Sequence, residues 1–227
     1  MIARVPVSRH LDLYRYWEAK RGNRLMPTRR DIDPTEIPRL LPHIALIDAQ
    51  SGTYRWRLMG SHIVDDFGCD LTGQPFGKNV APWWFVSAMT ATFDRVLPSG
   101  EPVFEESVYT IGSNTTHAVS RLLLPLTAEG RTPAMVLLTR ITRRRPLDRQ
   151  WNYIKGASGQ VAASFSIGSL EDLERRLAAW ERASQPAPIA KIAPQPIFRI
   201  ANLWDGGIPQ VIRCGSTKAA LVSPSSK

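Results

Sequence analysis

The stretch that decides the fold is YRWRLMGSHIVDDFGCDLTGQPF, residues 54–76. It begins with an alternating segment whose apolar residues share one face of an extended chain: Tyr54, Trp56 and Leu58. The intervening Arg55 and Arg57 point to the other face, as in a half-buried strand. A short helix, Ser61–Phe67, and a turn around Gly73 follow at once. We therefore expect a strand, a helix and a glycine turn in direct succession.

Further strands and helices are predicted on both sides of this stretch. A helix is expected over about Arg9–Lys20, with His10, Leu13, Tyr14 and Trp17 on one stripe. A second is expected over about Pro82–Val96, and its apolar face is predicted to contain Trp83, Val86, Met89, Thr90 and Phe93. The other strands are predicted at Ile44–Asp48, Pro102–Ile111, His117–Leu126 and Ala134–Ile141. This order predicts an α+β fold with a five-stranded antiparallel sheet covered by helices on one face.

The turn and the element order resemble those of PAS domains. In that family an aromatic residue and a glycine lead into an acidic residue, a leucine and a second glycine, as Phe67 to Gly73 do here. More narrowly, residues 17–139 resemble a bacterial family of stand-alone PAS-type domains, once catalogued as a domain of unknown function. The other matching pieces are Trp17 with Arg21-Gly22, Pro27, Arg29, Asp31 to Pro34, Ile37-Pro38, Leu40 to Pro42, Arg57 to Gly60 and Leu122 to Leu126. The resemblance implies a sensory or protein-interaction role.

Charge divides the chain into two parts. Residues 1–141 hold 16 Lys and Arg against 14 Asp and Glu, whereas residues 142–227 hold 13 against 6, so the net +9 splits into +2 and +7. Arg143, Arg144, Arg145 and Pro146 mark the boundary. We expect five segments: an N-terminal helix over 1–22, a PAS-like domain over 23–142, a basic linker over 143–168, an amphipathic helix over 169–184 and a Pro-rich flexible tail over 185–227.

A ligand pocket and a filled aromatic core are the two alternatives for the interior, because aromatic side chains line both. If there is a pocket, its predicted lining combines aromatic residues with a few polar anchors. The predicted lining residues are Trp56, Phe67, Trp83, Phe93, Tyr109, His117 and Arg121.

No cofactor is assigned. PAS domains that form a covalent flavin adduct resemble one another in a reactive Cys on the helix after the turn, whereas Cys69 lies before the turn. Haem needs an axial His, and the predicted helix Pro82–Val96 has none. The four His lack Cys or Glu at metal-ligand spacing, so no metal site is predicted.

No catalytic motif is found, and we expect no enzyme activity. The carboxylate pairs Asp65-Asp66 and Glu105-Glu106 are adjacent, and neighbours on a strand face opposite ways, so neither pair can act on one centre. The longest apolar run, Pro133 to Leu138, is too short to cross a bilayer, and arginines interrupt the N-terminus where a secretory signal would be apolar. The sequence therefore predicts a cytoplasmic protein.

Two amphipathic helices are expected to pack on their own domain or on a second subunit, and the second helix alternatively on a partner protein. The first is the N-terminal helix, and the second is capped by Ser169. Their apolar residues are Leu13, Tyr14, Trp17, Leu173, Leu177 and Trp180. We expect a homodimer and a signalling protein as partner, with nucleic acid as the alternative partner because of the basic C-terminal part.

Overall fold

The computed structural model describes residues 8–50, 53–77, 83–111, 115–128, 133–143 and 157–184. Within these ranges, the side chains of residues 50, 109–111, 115–117, 133, 157, 158 and 160 are not described. The predicted tail over 185–227 lies outside the described residues.

The helices are α1 (Ser8–Arg21), α2 (Ser61–Phe67), α3 (Trp83–Ser99) and α4 (Leu170–Ala183). The strands are β1 (Ile44–Gln50), β2 (Thr53–Met59), β3 (Val103–Ile111), β4 (Thr115–Thr127), β5 (Pro133–Arg143) and β6 (Ala157–Ser166). Three single turns of 3-10 helix, Arg29–Asp31, Pro34–Glu36 and Leu41–His43, lie between α1 and β1.

The strands form one antiparallel sheet in the order β2-β1-β5-β4-β3-β6. The predicted α+β fold is confirmed, but the sheet has six strands instead of five. The sixth strand, β6, falls inside the stretch predicted as a basic linker. Its sequence ASGQVAASFS is mostly Ala, Ser and Gly, which have no strong strand preference, so the strand depends on its pairing with β3.

The alternation predicted for β2 is interrupted by a β-bulge. Leu46 lies opposite Leu58, but the next residue Ile47 lies opposite Trp56, so Arg57 is the extra residue. An extra residue turns the side chains beyond it to the other face of the sheet. Leu58 therefore packs on the face opposite Trp56, and the prediction that they share a face is wrong.

Helices cover both faces of the sheet, which corrects the prediction of cover on one face. On the α1/α4 face, these two helices pack against alternate side chains of β1, β3, β4 and β5. On the α2/α3 face, the other two helices pack against the intervening side chains. Since two layers of helix enclose the sheet, its central strands are apolar on both sides.

The residues predicted as partner contacts are buried within the chain itself. None of the six exceeds 3% exposure: Leu13, Tyr14, Trp17, Leu173, Leu177 and Trp180. Of the possibilities that the sequence left open, the structure shows α1 and α4 packed on their own sheet. Burial of side chains of this size stabilises the fold by roughly 1.5–3 kcal/mol each. These six side chains are thus not accessible to a partner.

Candidate functional site

The α2/α3 face holds most of the predicted pocket residues. Trp56 and Phe93 are buried there, Phe67 packs against their cluster, and Arg121 lies among them with its guanidinium 5.6 Å from the ring centre of Phe85. Trp83 does not belong to this layer, since it is 65% exposed at the first residue of α3. The side chains of Tyr109 and His117 lie outside the described part, although their backbones pair across β3 and β4.

The exposure of Trp83 follows from the orientation of α3. The sequence placed Trp83, Val86 and Thr90 on the buried face, together with Met89 and Phe93. The side chains that are buried in the structure are Phe85, Met89, Thr92, Phe93 and Val96. The buried stripe is thus rotated relative to the predicted one.

Aromatic rings fill much of the space under α2 and α3. Phe76 lies 5.2 Å from Trp56, 5.9 Å from Phe85 and 5.3 Å from Phe93, centre to centre. Phe67 packs edge-on against Trp56 at 5.6 Å and against Phe85 at 5.7 Å. The sequence did not select Phe76 or Phe85. Both complete the apolar wall around the charged groups described next.

A row of charged side chains crosses the middle of this apolar face. Glu105, Arg121 and Arg140 occupy directly paired positions on β3, β4 and β5. Arg121 donates to Glu105 at 2.6 Å, and neither side chain is more than 2% exposed. Arg121 also donates to the hydroxyl of Ser107 at 2.8 Å, and Thr92 on α3 donates to Glu105 at 2.6 Å. The first half of the row is thus an ion pair enclosed by hydroxyl groups.

Asp66 on α2 supplies the counter-charge for the second half of the row. Arg140 forms an ion pair with Asp66, and Thr142 donates to the same carboxylate oxygen at 2.7 Å. The Arg140 guanidinium also lies 5.4 Å from the ring centre of Phe67, the residue after Asp66. The Asp66 side chain is 15% exposed, against 3% for Arg140. The last turn of α2 therefore lies over the second arginine and is its link to the surface.

We call Glu105, Arg121, Arg140 and Asp66 the buried charge row. It contains two arginines and two carboxylates, so its formal charges balance. Burial is the main cause that lowers the pKa of Arg121 to about 10, and Arg140 lowers it too, while Glu105 acts in the opposite direction. Arg121 nevertheless stays charged near neutral pH. Removing one member leaves an opposite charge inside the core, so the four act as a unit.

The comparison with known families decides what this fold is. The sequence model of the PAS domain family matches residues 5–138, which is more than half of the chain. The chain belongs to the PAS domain family. A comparison with curated proteins finds no match. The matched region is therefore a sensory or regulatory domain. PAS domains also act as protein-interaction modules. Among the helices that the structure describes, none is long and apolar enough to cross a membrane.

Within this PAS domain, the buried charge row was only partly predictable. Arg121 was selected from the sequence, whereas Arg140 was not. Glu105 was passed over because it is adjacent to Glu106 and the two face opposite sides of β3; the structure confirms this, with Glu105 bonded to α3 and Glu106 near Arg176 of α4. One signal was available for Arg121, the charged residue that directly precedes the apolar run Leu122 to Leu126 of β4. Arg140 lies among Thr139, Thr142 and Arg143 and carries no such signal.

His10 is the buried polar group on the other face of the PAS sheet. Its ring is fully buried between the hydroxyl of Thr139 on β5 and that of Ser120 on β4, the latter at 3.0 Å. Phe104 packs edge-on against it at 5.9 Å. Burial, with a smaller effect of Arg143, lowers the pKa of His10 to about 3, so the ring is neutral under ordinary conditions. Through these hydrogen bonds His10 links α1 to the sheet, and its buried ring is not accessible to a substrate.

The remaining cofactor candidates are separated in the fold. Cys69 is partly buried and packs against the apolar layer of the α2/α3 face. His43 and His62 stack on each other at 4.3 Å, between the last 3-10 turn and α2. No group of three or more metal-ligating side chains occurs in the ranges that the structure describes. α3, the helix that would present an axial ligand, contains no His.

Proposed function

We propose that this PAS protein is a non-catalytic sensor and regulator that acts through contacts with other proteins. We further propose that its signal is a small carboxylate-bearing metabolite, which replaces Asp66 on Arg140. The observation that carries the proposal is the buried charge row under α2 and α3. The Asp66–Arg140 pair is the only part of that row that joins a helix to the sheet through an ion pair.

The position of the charge row argues for a function beyond stability. A buried ion pair contributes little to stability compared with apolar side chains of the same size, because both charges lose their hydration. A fold that needed only a filled core would gain more from leucine or methionine at these positions. Ionisable groups with perturbed pKa values often cluster at functional sites.

The helix that carries Asp66 is the weakest cover on this face. α2 has seven residues, and its N-terminal cap, Gly60, offers no side-chain hydrogen bond. A helix this short has little stability of its own, so it depends on its contacts with the sheet. The Asp66–Arg140 pair is one such contact, and Phe67 adds another by packing on Trp56 and Phe85. Losing the ion pair would thus free the end of α2.

The chemistry of the pair selects the ligand class. Arg140 and Thr142 together present a cation and a hydroxyl donor to one carboxylate oxygen. A ligand carboxylate can accept the same two hydrogen bonds, and the aromatic rings around it suit an apolar remainder. When such a ligand binds, Asp66 is displaced and α2 moves with it. This movement changes the surface that a partner protein contacts.

The first experiment looks for a ligand already bound. The protein is purified from its native host, and its native mass and absorbance spectrum are recorded. The bare protein is then heated with acetate, succinate and benzoate as probes. A carboxylate at about 100 times its Kd raises the free energy of unfolding by about 2.7 kcal/mol, which is roughly 5–10 °C for a domain of this size. A bare chain whose unfolding temperature no carboxylate raises would refute the ligand class.

Two substitutions with opposite effects test the site. Asp66→Asn removes the competing carboxylate, so the responding probe should bind more tightly, on the order of tenfold. Arg140→Gln removes the cation and should abolish the response. Asp65→Asn is the matched control, because it makes the same change at the adjacent, exposed position of α2. If all three variants bind the probe like the natural protein, the ligand binds elsewhere.

The absence of catalysis is part of the same proposal. Glu105 and Asp66, the carboxylates of the charge row, are both held by arginine and hydroxyl groups, and His10 is sealed between two strands. A general acid or base must reach a substrate proton, and these groups are already occupied.

The alternative, binding of nucleic acid by the basic C-terminal part, depends mainly on residues outside those described. In the described part, α4 carries four acidic residues against three arginines, so it presents no basic face. Arg143 pairs with Glu181, and Arg176 stacks on Phe165. Salt-dependent binding of nucleic acid that disappears when the residues after Arg143 are removed would favour the alternative.

A further inference from the structure

The two edge strands of the sheet differ in whether another segment of the chain hydrogen-bonds to their outer side. The edge strand β2 is covered: Trp56 accepts from Gly73 at 2.7 Å and donates to Gln74 at 3.0 Å, and Phe76 donates to Tyr54 at 2.7 Å. The other edge strand, β6, pairs with β3 and with no further strand among the described residues. An edge strand carries a row of backbone donors and acceptors that can bind another strand.

β6 also lacks the usual protection of an edge. Natural edge strands are commonly short, or carry charged residues or proline. β6 has ten residues and contains no charged residue and no proline. β2 by contrast carries Arg55 and Arg57. The one interruption in β6 is a bulge at Ala162, since Glu106 pairs with Ala163 but Ser107 pairs with Val161.

β6 is held firmly on both faces, so its edge is preformed. On the α2/α3 face, Arg95 of α3 donates to the hydroxyl of Ser164. On the α1/α4 face, the guanidinium of Arg176 lies 3.8 Å from the ring centre of Phe165. A strand fixed in this way loses little conformational entropy when it pairs with another strand.

We propose that the edge of β6 pairs antiparallel with the same edge of a second copy of this chain, so that two six-stranded sheets join across a two-fold axis. The proposal goes beyond the sensory function and does not depend on the ligand. It assigns an interface to the homodimer that the sequence predicted, now that the side chains expected to form it are known to be buried in α1 and α4.

The uncharged, small-residue composition of β6 fits a second copy as the occupant. The net charge of +9 opposes the association of two copies, so a contact between copies must lie where the surface adds no like charges. β6 contributes no charge to the contact, and identical uncharged strands can face each other without like charges lying opposite. Seven of its ten residues are Ala, Ser or Gly, which lets two backbones and their flanking helices approach closely. A two-fold axis needs only such a self-complementary patch.

The experiment measures the association of the full-length protein by sedimentation equilibrium. Ala162→Lys puts a charge on an exposed residue of β6, and the matched control Ala178→Lys puts the same charge on the exposed side of α4. We expect a dimer for the natural protein and for Ala178→Lys. In Ala162→Lys the dimer Kd should rise by at least roughly tenfold, because each edge then presents a lysine.

Hydrogen exchange on the natural protein provides a test that needs no variant. About every second amide of β6 points away from β3, and these amides should become protected as the protein concentration rises. Three results would overturn the proposal: a monomer at all concentrations, a dimer that Ala162→Lys leaves unchanged, or outward amides already protected in the monomer. The last result would mean that a segment of the same chain covers the edge.

Discussion

The α1/α4 face buries large apolar side chains, the neutral imidazole of His10 and the carboxylate of Asp48, whereas the α2/α3 face holds two arginines that pair with two carboxylates. The two faces are formed by alternate residues of the same strands, as in β4 and β5. Most of the α1/α4 face is thus stabilised by apolar burial. The α2/α3 face gives up some stability to hold two ion pairs.

The comparison also explains how the two helical layers differ. α1 and α4 each have 14 residues; α1 buries Leu13, Tyr14 and Trp17, and α4 buries Leu173, Leu177 and Trp180. α2 has seven residues and carries an ion pair at its last turn. The two long helices are held by apolar burial, while the short helix is held partly by an ion pair, for which a carboxylate ligand would compete under our proposal.

The largest expected effect comes from breaking the charge row at its most buried pair. Glu105→Leu should lower the free energy of unfolding by about 3–5 kcal/mol, because the guanidinium of Arg121 then stays buried without this carboxylate. The double variant Glu105→Leu with Arg121→Met should recover most of this loss. Urea unfolding of the single and double variants gives both values. A single variant that loses less than about 1 kcal/mol would show that water reaches this pair.

A smaller loss is expected on the α1/α4 face. Leu173→Ala on α4 should cost about 3 kcal/mol, because a fully buried side chain is removed and leaves a cavity. Leu25→Ala is the matched control, since Leu25 is 65% exposed and should change stability by less than about 0.5 kcal/mol.

Protein concentration sharpens this second test. If α4 packs on its own sheet, the cost of Leu173→Ala measured by urea unfolding is the same at low and high protein concentration. If α4 belonged to an interface between copies, the stability of the natural protein would rise with concentration and the cost of the substitution would change with it.

The sequence predicted the strands that are rich in Leu and Val and missed the one that is not. β4 and β5 contain runs of consecutive apolar residues, as expected for strands that are covered on both faces. β6 is mostly Ala, Ser and Gly, so its own residues give no strand signal; it forms because β3 offers a free edge. Likewise, nothing around Arg57 in the sequence marks the bulge that sends Leu58 to the opposite face.

The candidate site was predictable only where one residue carried the signal. Arg121 stands out as a charged residue directly before the leucine-rich run of β4. Its extension through Arg140 to Asp66 did not, because those two residues are 74 positions apart and meet only once α2 folds over β5. His10 was counted as part of an apolar helical stripe, which is correct for its burial. Its two hydroxyl partners lie more than 100 residues away.

The smallest expected effect is the loss in the free energy of unfolding that His10 causes when the pH is lowered from 6.5 to 5. Its pKa is about 3 in the folded protein and 6.5 in the unfolded chain, so the unfolded chain binds a proton that the folded protein does not. The stabilising contribution is complete above pH 6.5 and is lost as the pH falls toward 3. The loss is about 1.4 kcal/mol per pH unit, or about 2 kcal/mol at pH 5.

The substitution His10→Gln isolates this response from other groups, including His43, whose pKa is lowered to about 4 chiefly by burial. Glutamine can still bond the hydroxyls of Thr139 and Ser120, but it binds no proton. Between pH 6.5 and 5 the variant should therefore lose about 2 kcal/mol less than the natural protein in urea unfolding. Equal losses in the two proteins would mean that the imidazole is charged in the folded state, and that the α1/α4 face, like the α2/α3 face, tolerates a buried charge.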